Sequence, residues 1–245
     1  MLTYSPRQRL FVDFPLAEGE SVALEADQAH YLVNVMRLGT GSAVALFNGR
    51  DGEWAAVISA VAKRGCTLRV ERCLRPQADG PDLWLLFAPV KGPRTDFIAE
   101  KATELGVAVL QPVLTRRTVA NRVNLDRLAA NAREAAEQCE RLTVPEVRDL
   151  VPLETILGQW PAERRLMFCD ETGVSPPALA ALKAAPRGPW AVLIGPEGGF
   201  AAEELAAVKA LPQAVPVGLG PRILRADTAA VAALTLWQAA LGDLG

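Results

Sequence analysis

The chain has 245 residues, half of them hydrophobic, with 26 Lys and Arg against 28 Asp and Glu for a formal net charge of −2. This composition excludes intrinsic disorder and supplies ample material for a core. No apolar run approaches the ~18 residues of a membrane span. The opening MLTYSPRQRLFVDF holds no hydrophobic signal region, so a soluble cytoplasmic protein is expected, with no membrane partner.

The cysteines are Cys66, Cys73, Cys139 and Cys169, none of them in a C-x-x-C pair, and His30 is the only histidine. No metal is expected from that spacing, and His-based nucleophilic catalysis is disfavoured. The near-neutral charge does not advertise a nucleic-acid partner, but charge can be segregated. Residues 115–127 hold Arg116, Arg117, Arg122 and Arg127 against the single acid Asp126.

Short strand-like runs lie at 9–14, 21–24, 43–47, 54–61 and 66–70. Asn48-Gly49 and Asp51-Gly52 stand between two of them and predict a tight hairpin. A helical pattern over 26–37 puts Ala29, Leu32, Val33 and Met36 on one face. Together these predict a small β-barrel domain over 1–74, followed by a proline- and glycine-containing linker at 75–82.

From residue 83 onward the period changes. Apolar runs at 83–90, 107–114, 166–169, 191–194 and 215–219 read as strands, the first of them a continuous run that fits burial on both faces of a parallel sheet. Between them fall helical patterns at 95–105, 124–142, 175–184 and from Ala201, and a last one at 226–241. Gly106 fits the end of the first helix, and Asn124 the N-cap of the second. Strands alternating with helices predict an α/β domain over 83–245 with a mostly parallel sheet. Val231, Leu234 and Trp237 make the last helix apolar enough for either core packing or a dimer interface.

Two glycine turns follow strands in this domain. The stretch 194–200, IGPEGGF, has three glycines and a proline in seven residues. It matches neither the phosphate-loop pattern nor the dinucleotide fingerprint, so it is either a structural turn or a backbone approached closely by a ligand. The stretch 219–228, LGPRILRADT, adds Arg222, Arg225 and Asp227. Those arginines can grip phosphate or a developing negative charge, or they can serve the start of the last helix. Charged stripes at 91–106 and 134–141 read singly as solvated faces.

Taken in order, K-x-x-R-x-D-x-I-x-E-K-x-T-E-L-G, E-A-A-E-Q, I-G-P-E-G-G-F-x-x-x-E and L-G-x-R-I-L-R-x-[DE]-T-A form a set. With His30-Tyr31-Leu32 and Val35-Met36-Arg37 before it, the set closely resembles the ribosomal RNA small subunit methyltransferase E family, bacterial uridine-N3 methyltransferases of 16S ribosomal RNA. The resemblance spans almost the whole chain. It implies an N-terminal PUA-like RNA-binding barrel and a C-terminal SPOUT-type domain with a trefoil knot, a rare exception to ordinary connectivity. It further implies a homodimer with active sites near the interface, S-adenosylmethionine as methyl donor, and the small ribosomal subunit or its RNA as partner. The knot loops would follow Cys169, follow Ile194 and run over 219–224. Asp227 stands where the family commonly has glutamate.

On that basis the catalytic candidates are Arg222 or Arg225 for an oxyanion or phosphate, and Glu197 or Asp227 as base or orienting group. The methyl donor would lie on Leu193, Ile194, Gly195, Pro196 and Gly199 of the first turn. From the second turn it would meet Leu219, Gly220, Ile223, Leu224 and Thr228. RNA contacts are assigned to Arg7, Arg9, Arg37, Arg116, Arg117 and Arg122. Two other readings stay open: a related knotted methyltransferase acting at another RNA position, and a non-catalytic ribosome-assembly factor using the same barrel and dimer.

Overall fold

A computed structural model describes residues 6–63, 65–120, 122–170 and 174–244. The chain forms two units, Met1–Asp79 with Ala136–Thr143, and Gly80–Ala135 with Val144–Gly245. The grouping of residues 136–143 with the first unit has no counterpart in the sequence pattern.

The first unit is built on strands β1 (Arg9–Phe11), β2 (Ser21–Ala23), β3 (Ala43–Phe47), β4 (Glu53–Ala62) and β5 (Gly65–Arg75), in the order β1-β3-β4-β5-β2. Only β1 and β3 run parallel. The β4–β5 ladder shifts register at three places. Such bulges bend a long ribbon without ending it, and β5 accordingly runs past the expected end at residue 70. Asn48 closes the hairpin turn: its side-chain oxygen accepts the amides of Arg50 and Asp51, each at 2.9 Å.

Helix α1 (Ala26–His30) does not continue as an α-helix to residue 37. It passes into a π-helical turn over Tyr31–Val35, with the Met36 amide donating to the Tyr31 carbonyl. The wider turn breaks the expected apolar face, so Ala29 and Leu32 are buried while Val33 and Met36 are only partly covered. Arg37 follows with φ 56°, a left-handed backbone that costs a non-glycine residue about 1–2 kcal/mol.

The core of the second unit is a parallel sheet ordered β12-β10-β11-β6-β7-β8. Its strands are β6 (Leu83–Phe87), β7 (Val109–Leu114), β8 (Glu146–Val147), β10 (Arg165–Cys169), β11 (Trp190–Ile194) and β12 (Ala214–Val217), with β9 (Val151–Pro152) also pairing β7. Alternate side chains feed two cores. Trp190, Val192 and Ile194 pack on the side of helices α2 (Pro93–Glu104), α5 (Ala178–Lys183) and α7 (Ala226–Leu241). Ala191 and Leu193 pack on the side of α4 (Leu153–Gly158) and α6 (Ala202–Ala210). Both faces are therefore dry, which is why β11 is apolar at every position.

Helix α3 (Leu125–Gln138) starts where expected, with Asn124 Oδ1 accepting the Arg127 amide at 3.0 Å. It ends four residues before the expected 142, and Glu140 then takes φ 62°. Gly106, with φ 80°, closes α2 as expected; its left-handed backbone suits glycine.

Candidate active site

Parallel strands direct their carboxyl ends to one edge of the sheet, and here β10, β11 and β12 all do so beside one another. A cavity of about 500 Å³ opens at that edge, walled by the loops that follow those three strands and by the first turns of α7.

From the loop after β11, Ile194, Gly195, Pro196, Glu197 and Gly199 line it. From the loop after β12 come Leu219, Gly220, Arg222, Ile223 and Leu224. The first loop folds on itself: a Cβ at Gly195 would lie 2.8 Å from the Phe200 ring, so only glycine lets the ring close over the turn. Gly199 and Gly220 take φ of 68° and 104°. These glycines leave main chain, rather than side chains, facing the cavity.

Glu204 fixes this loop from the first turn of α6. One carboxylate oxygen accepts the Ala201 amide at 2.8 Å and the other accepts the Arg116 amide at 2.7 Å. Arg117 Nη1 donates to the Gly198 carbonyl at 2.8 Å. The basic loop after β7 is thereby clipped to the glycine loop.

Arg222 stands exposed on the cavity wall. Arg225 is exposed at the N-cap of α7 and is not part of the wall. Glu197 lines the cavity and pairs with Arg94 Nη1 at 2.6 Å. Asp227 lies just off the wall, 3.7 Å from Arg94 Nε, and accepts the Thr228 amide at 2.8 Å. Arg94 is thus a member of the site that sequence reasoning quoted in a motif but gave no role.

Three further expected residues are held elsewhere. Leu193 is fully buried among Phe168, Ala191 and Val208, so its side chain cannot touch a ligand in the cavity. Thr228 is held against Asp227 on the first turn of α7 and lies off the wall. Arg9 is unavailable for RNA: its side chain is 8 % exposed, its Nε meets Glu53 at 2.5 Å, and its other nitrogens donate to the carbonyls of Ala136, Glu137 and Arg141. Arg7, Arg37, Arg116, Arg117 and Arg122 are all exposed.

Sequence reasoning by residue missed the floor from β10. Asp170 is buried there, accepting from Ser175 Oγ at 2.8 Å and pairing with Lys209 at 3.3 Å. Beside it, burial pushes the Cys169 thiol up to about 12, which keeps it protonated and unsuited to nucleophilic work at neutral pH. The signal was present in the strand pattern, since adjacent parallel strands bring their following residues to the same edge. Among the described residues no three His, Cys, Asp or Glu side chains gather as metal ligands would.

Residues 78–238 match the model of an RNA methyltransferase domain, and residues 24–71 that of an RNA methyltransferase PUA domain. Ribosomal RNA small subunit methyltransferase E of Synechocystis is 32% identical, with 90% of this chain and 74% of that protein covered. The protein of the same name from Rickettsia conorii is 29% identical over 92% of this chain and 93% of its own. The Neisseria gonorrhoeae enzyme of that name, solved bound to S-adenosyl methionine, superposes with a TM-score of 0.86 at 27% identity, covering 97% of this chain and 99% of that one. A Legionella pneumophila protein solved in complex with the cofactor SAM gives 0.87 at 30% identity, covering 96% and 98%.

Proposed function

The chain belongs to the ribosomal RNA small subunit methyltransferase E family, and from that premise we propose that it methylates N3 of one uridine in the decoding region of 16S ribosomal RNA, with S-adenosylmethionine as donor. The observation that carries this reading is the cavity at the ends of β10, β11 and β12, with a glycine-lined main-chain cradle and both Glu197 and Arg222 on its wall. A metal site or a nucleotide phosphate loop would need a different donor set.

The cradle fits the donor. Backbone of Ile194, Gly195, Leu219 and Leu224 would hold its adenosine part, and a volume of about 500 Å³ suits a ligand of that size. When bound, the donor would supply an electrophilic methyl on a sulfonium, with a neutral thioether sulfur as the leaving group that keeps the bonding pair. The chain must then do two things. It must align the uracil edge in line with that methyl, and it must take the N3 proton. Glu197 is the exposed carboxylate on the wall, Asp170 being buried in the floor, and receives the proton; Arg222 faces the negative charge that uracil oxygen gains as N3 is deprotonated. Uridine N3 lies on the pairing edge, so the base enters unpaired or flipped out.

The proposal includes a cytoplasmic homodimer and the knot through the loops after β10, β11 and β12. RNA is held by Arg7, Arg37, Arg116, Arg117 and Arg122.

The test is mass spectrometry of 16S RNA from small subunits incubated with the protein and labelled S-adenosylmethionine. Label at N3 of a single uridine is expected; label on a ribose or on another base would overturn the reading. In the same assay Arg222→Ala should lower kcat by about 100-fold while donor affinity changes little. Equal losses in both would make Arg222 a donor-binding residue. Calorimetric silence toward the donor would favour the assembly-factor reading.

A further inference from the structure

Arg94 sits in the first turn of α2, where the positive end of the helix dipole disfavours a cation. Helix stability therefore does not explain an arginine at this position. Its guanidinium is instead turned outward to two carboxylates from distant parts of the chain. Nη1 is 2.6 Å from Glu197 Oε1, on the loop after β11, and Nε is 3.7 Å from Asp227 Oδ2, in the first turn of α7. Side-chain exposures are 36% for Arg94, 45% for Glu197 and 18% for Asp227, so the cluster lies at the rim rather than in the core. A planar fork can face two carboxylates at once, whereas an ammonium is a point charge on a flexible stem.

Glu197 has few other restraints. Its loop bends through Gly195, Gly198 and Gly199, and the side chain itself is held by Arg94 alone among the described contacts. A glutamate on a glycine-rich turn samples many rotamers unless something fixes it. Asp227 is tied to its own helix by the Thr228 amide, and so provides the rigid end of the clamp.

We propose that Arg94 is a positioning residue that fixes the Glu197 carboxylate at the cavity mouth by clamping it to the start of α7. The inference rests on the reading of Glu197 as the acceptor of the N3 proton. Arg94 itself touches no reacting atom. Its loss lets the carboxylate wander by more than the distance that proton transfer tolerates, without removing any part of the donor cradle.

Two independent measurements on the full-length protein test it. The first is hydrogen exchange with S-adenosylmethionine present, comparing wild type with Arg94→Ala and Arg94→Lys. Faster exchange of the amides in 197–200 is expected in both variants, with the β11 interior unchanged; unchanged protection of that loop overturns the inference, whatever the RNA assay gives. The second is turnover on small subunits. Arg94→Ala should lower kcat on the order of 100-fold with KM for RNA and donor Kd within a few-fold of wild type, and Arg94→Lys should recover only part of the loss. A raised KM with unchanged kcat makes Arg94 an RNA contact and overturns the inference, as does full recovery in Arg94→Lys. Failure of the wild type to label N3 counts against the functional reading alone, because the exchange experiment still judges the clamp.

Discussion

Arg9 and Arg94 carry the same group to opposite ends. Arg94 faces two carboxylates at a solvent-exposed rim, whereas Arg9 is sealed over the Phe47 ring, 4.4 Å from its centroid, and spends its nitrogens on Glu53 and three main-chain carbonyls. Glu53 is the hinge of that arrangement, meeting Arg9 on one side and Arg75 Nε at 2.8 Å on the other. Burial alone would push the Glu53 carboxyl up, but the hydrogen bonds and charges of Arg75 and Arg9 outweigh it and hold it below the ordinary carboxylate value. A carboxylate depressed on folding contributes stability that is present above its unfolded value, about 4.3, and is lost as pH falls through the lower folded value. Glu53→Gln leaves Arg9 buried with its charge unmatched, a class of change that costs about 3–5 kcal/mol, reduced here because Arg75 is 40% exposed. Denaturant unfolding at pH 7 should register a loss near the lower figure. The gap between variant and wild type should narrow below about pH 4, where the native carboxylate is itself being protonated. A gap independent of pH would mean that the charge of Glu53 does not matter.

At the scale of elements, what the sequence made legible follows the strength of each pattern. Strands β6, β10 and β11 stand out because both of their faces are dry, and α7 because sixteen residues of steady helical character leave no alternative. Strands β8 and β9, two residues each, and the six-residue α4 were not legible, since their pairing with β7 and packing are decided by the partner rather than by their own few residues. The site was legible where glycine and proline cluster. It was hidden where it depends on contact across the fold, as with Arg94 and Glu197, 103 residues apart. Glu204 shows the same division. Its motif position was plain, but its second oxygen serves an amide 88 residues earlier in the chain. Removing it should loosen the start of α6 and the basic loop together. Glu204→Ala should cost about 1–2 kcal/mol in denaturant unfolding, the scale of a lost helix cap. It should also weaken donor binding measured by calorimetry, because the glycine loop loses its anchor. Donor affinity equal to wild type would confine Glu204 to a capping role.

For the molecule as a whole, a net charge of −2 and an RNA substrate are compatible only if the positive charge is local. Arg116 and Arg122 are exposed in the loop after β7, and Glu204 holds that loop by the Arg116 amide rather than by its guanidinium. Among the described residues the Arg116 guanidinium is not taken up by Glu204, so under the proposed function it can meet phosphate, whereas Arg117 Nη1 donates to the Gly198 carbonyl. Phosphate contacts release counterions, so RNA affinity should fall linearly on logarithmic salt axes, with about −0.7 in slope for each phosphate contacted on a single strand. Arg116→Ala with Arg122→Ala should make the slope shallower by about 1–2 and weaken binding to unrelated RNAs equally, since phosphate contacts carry no base information. Fluorescence anisotropy of a labelled 16S fragment across a salt series reads both quantities. An unchanged slope would move the RNA-binding face away from this loop, toward Arg7 and Arg37 of the first unit. A loss confined to the 16S fragment would instead mean that these arginines read bases.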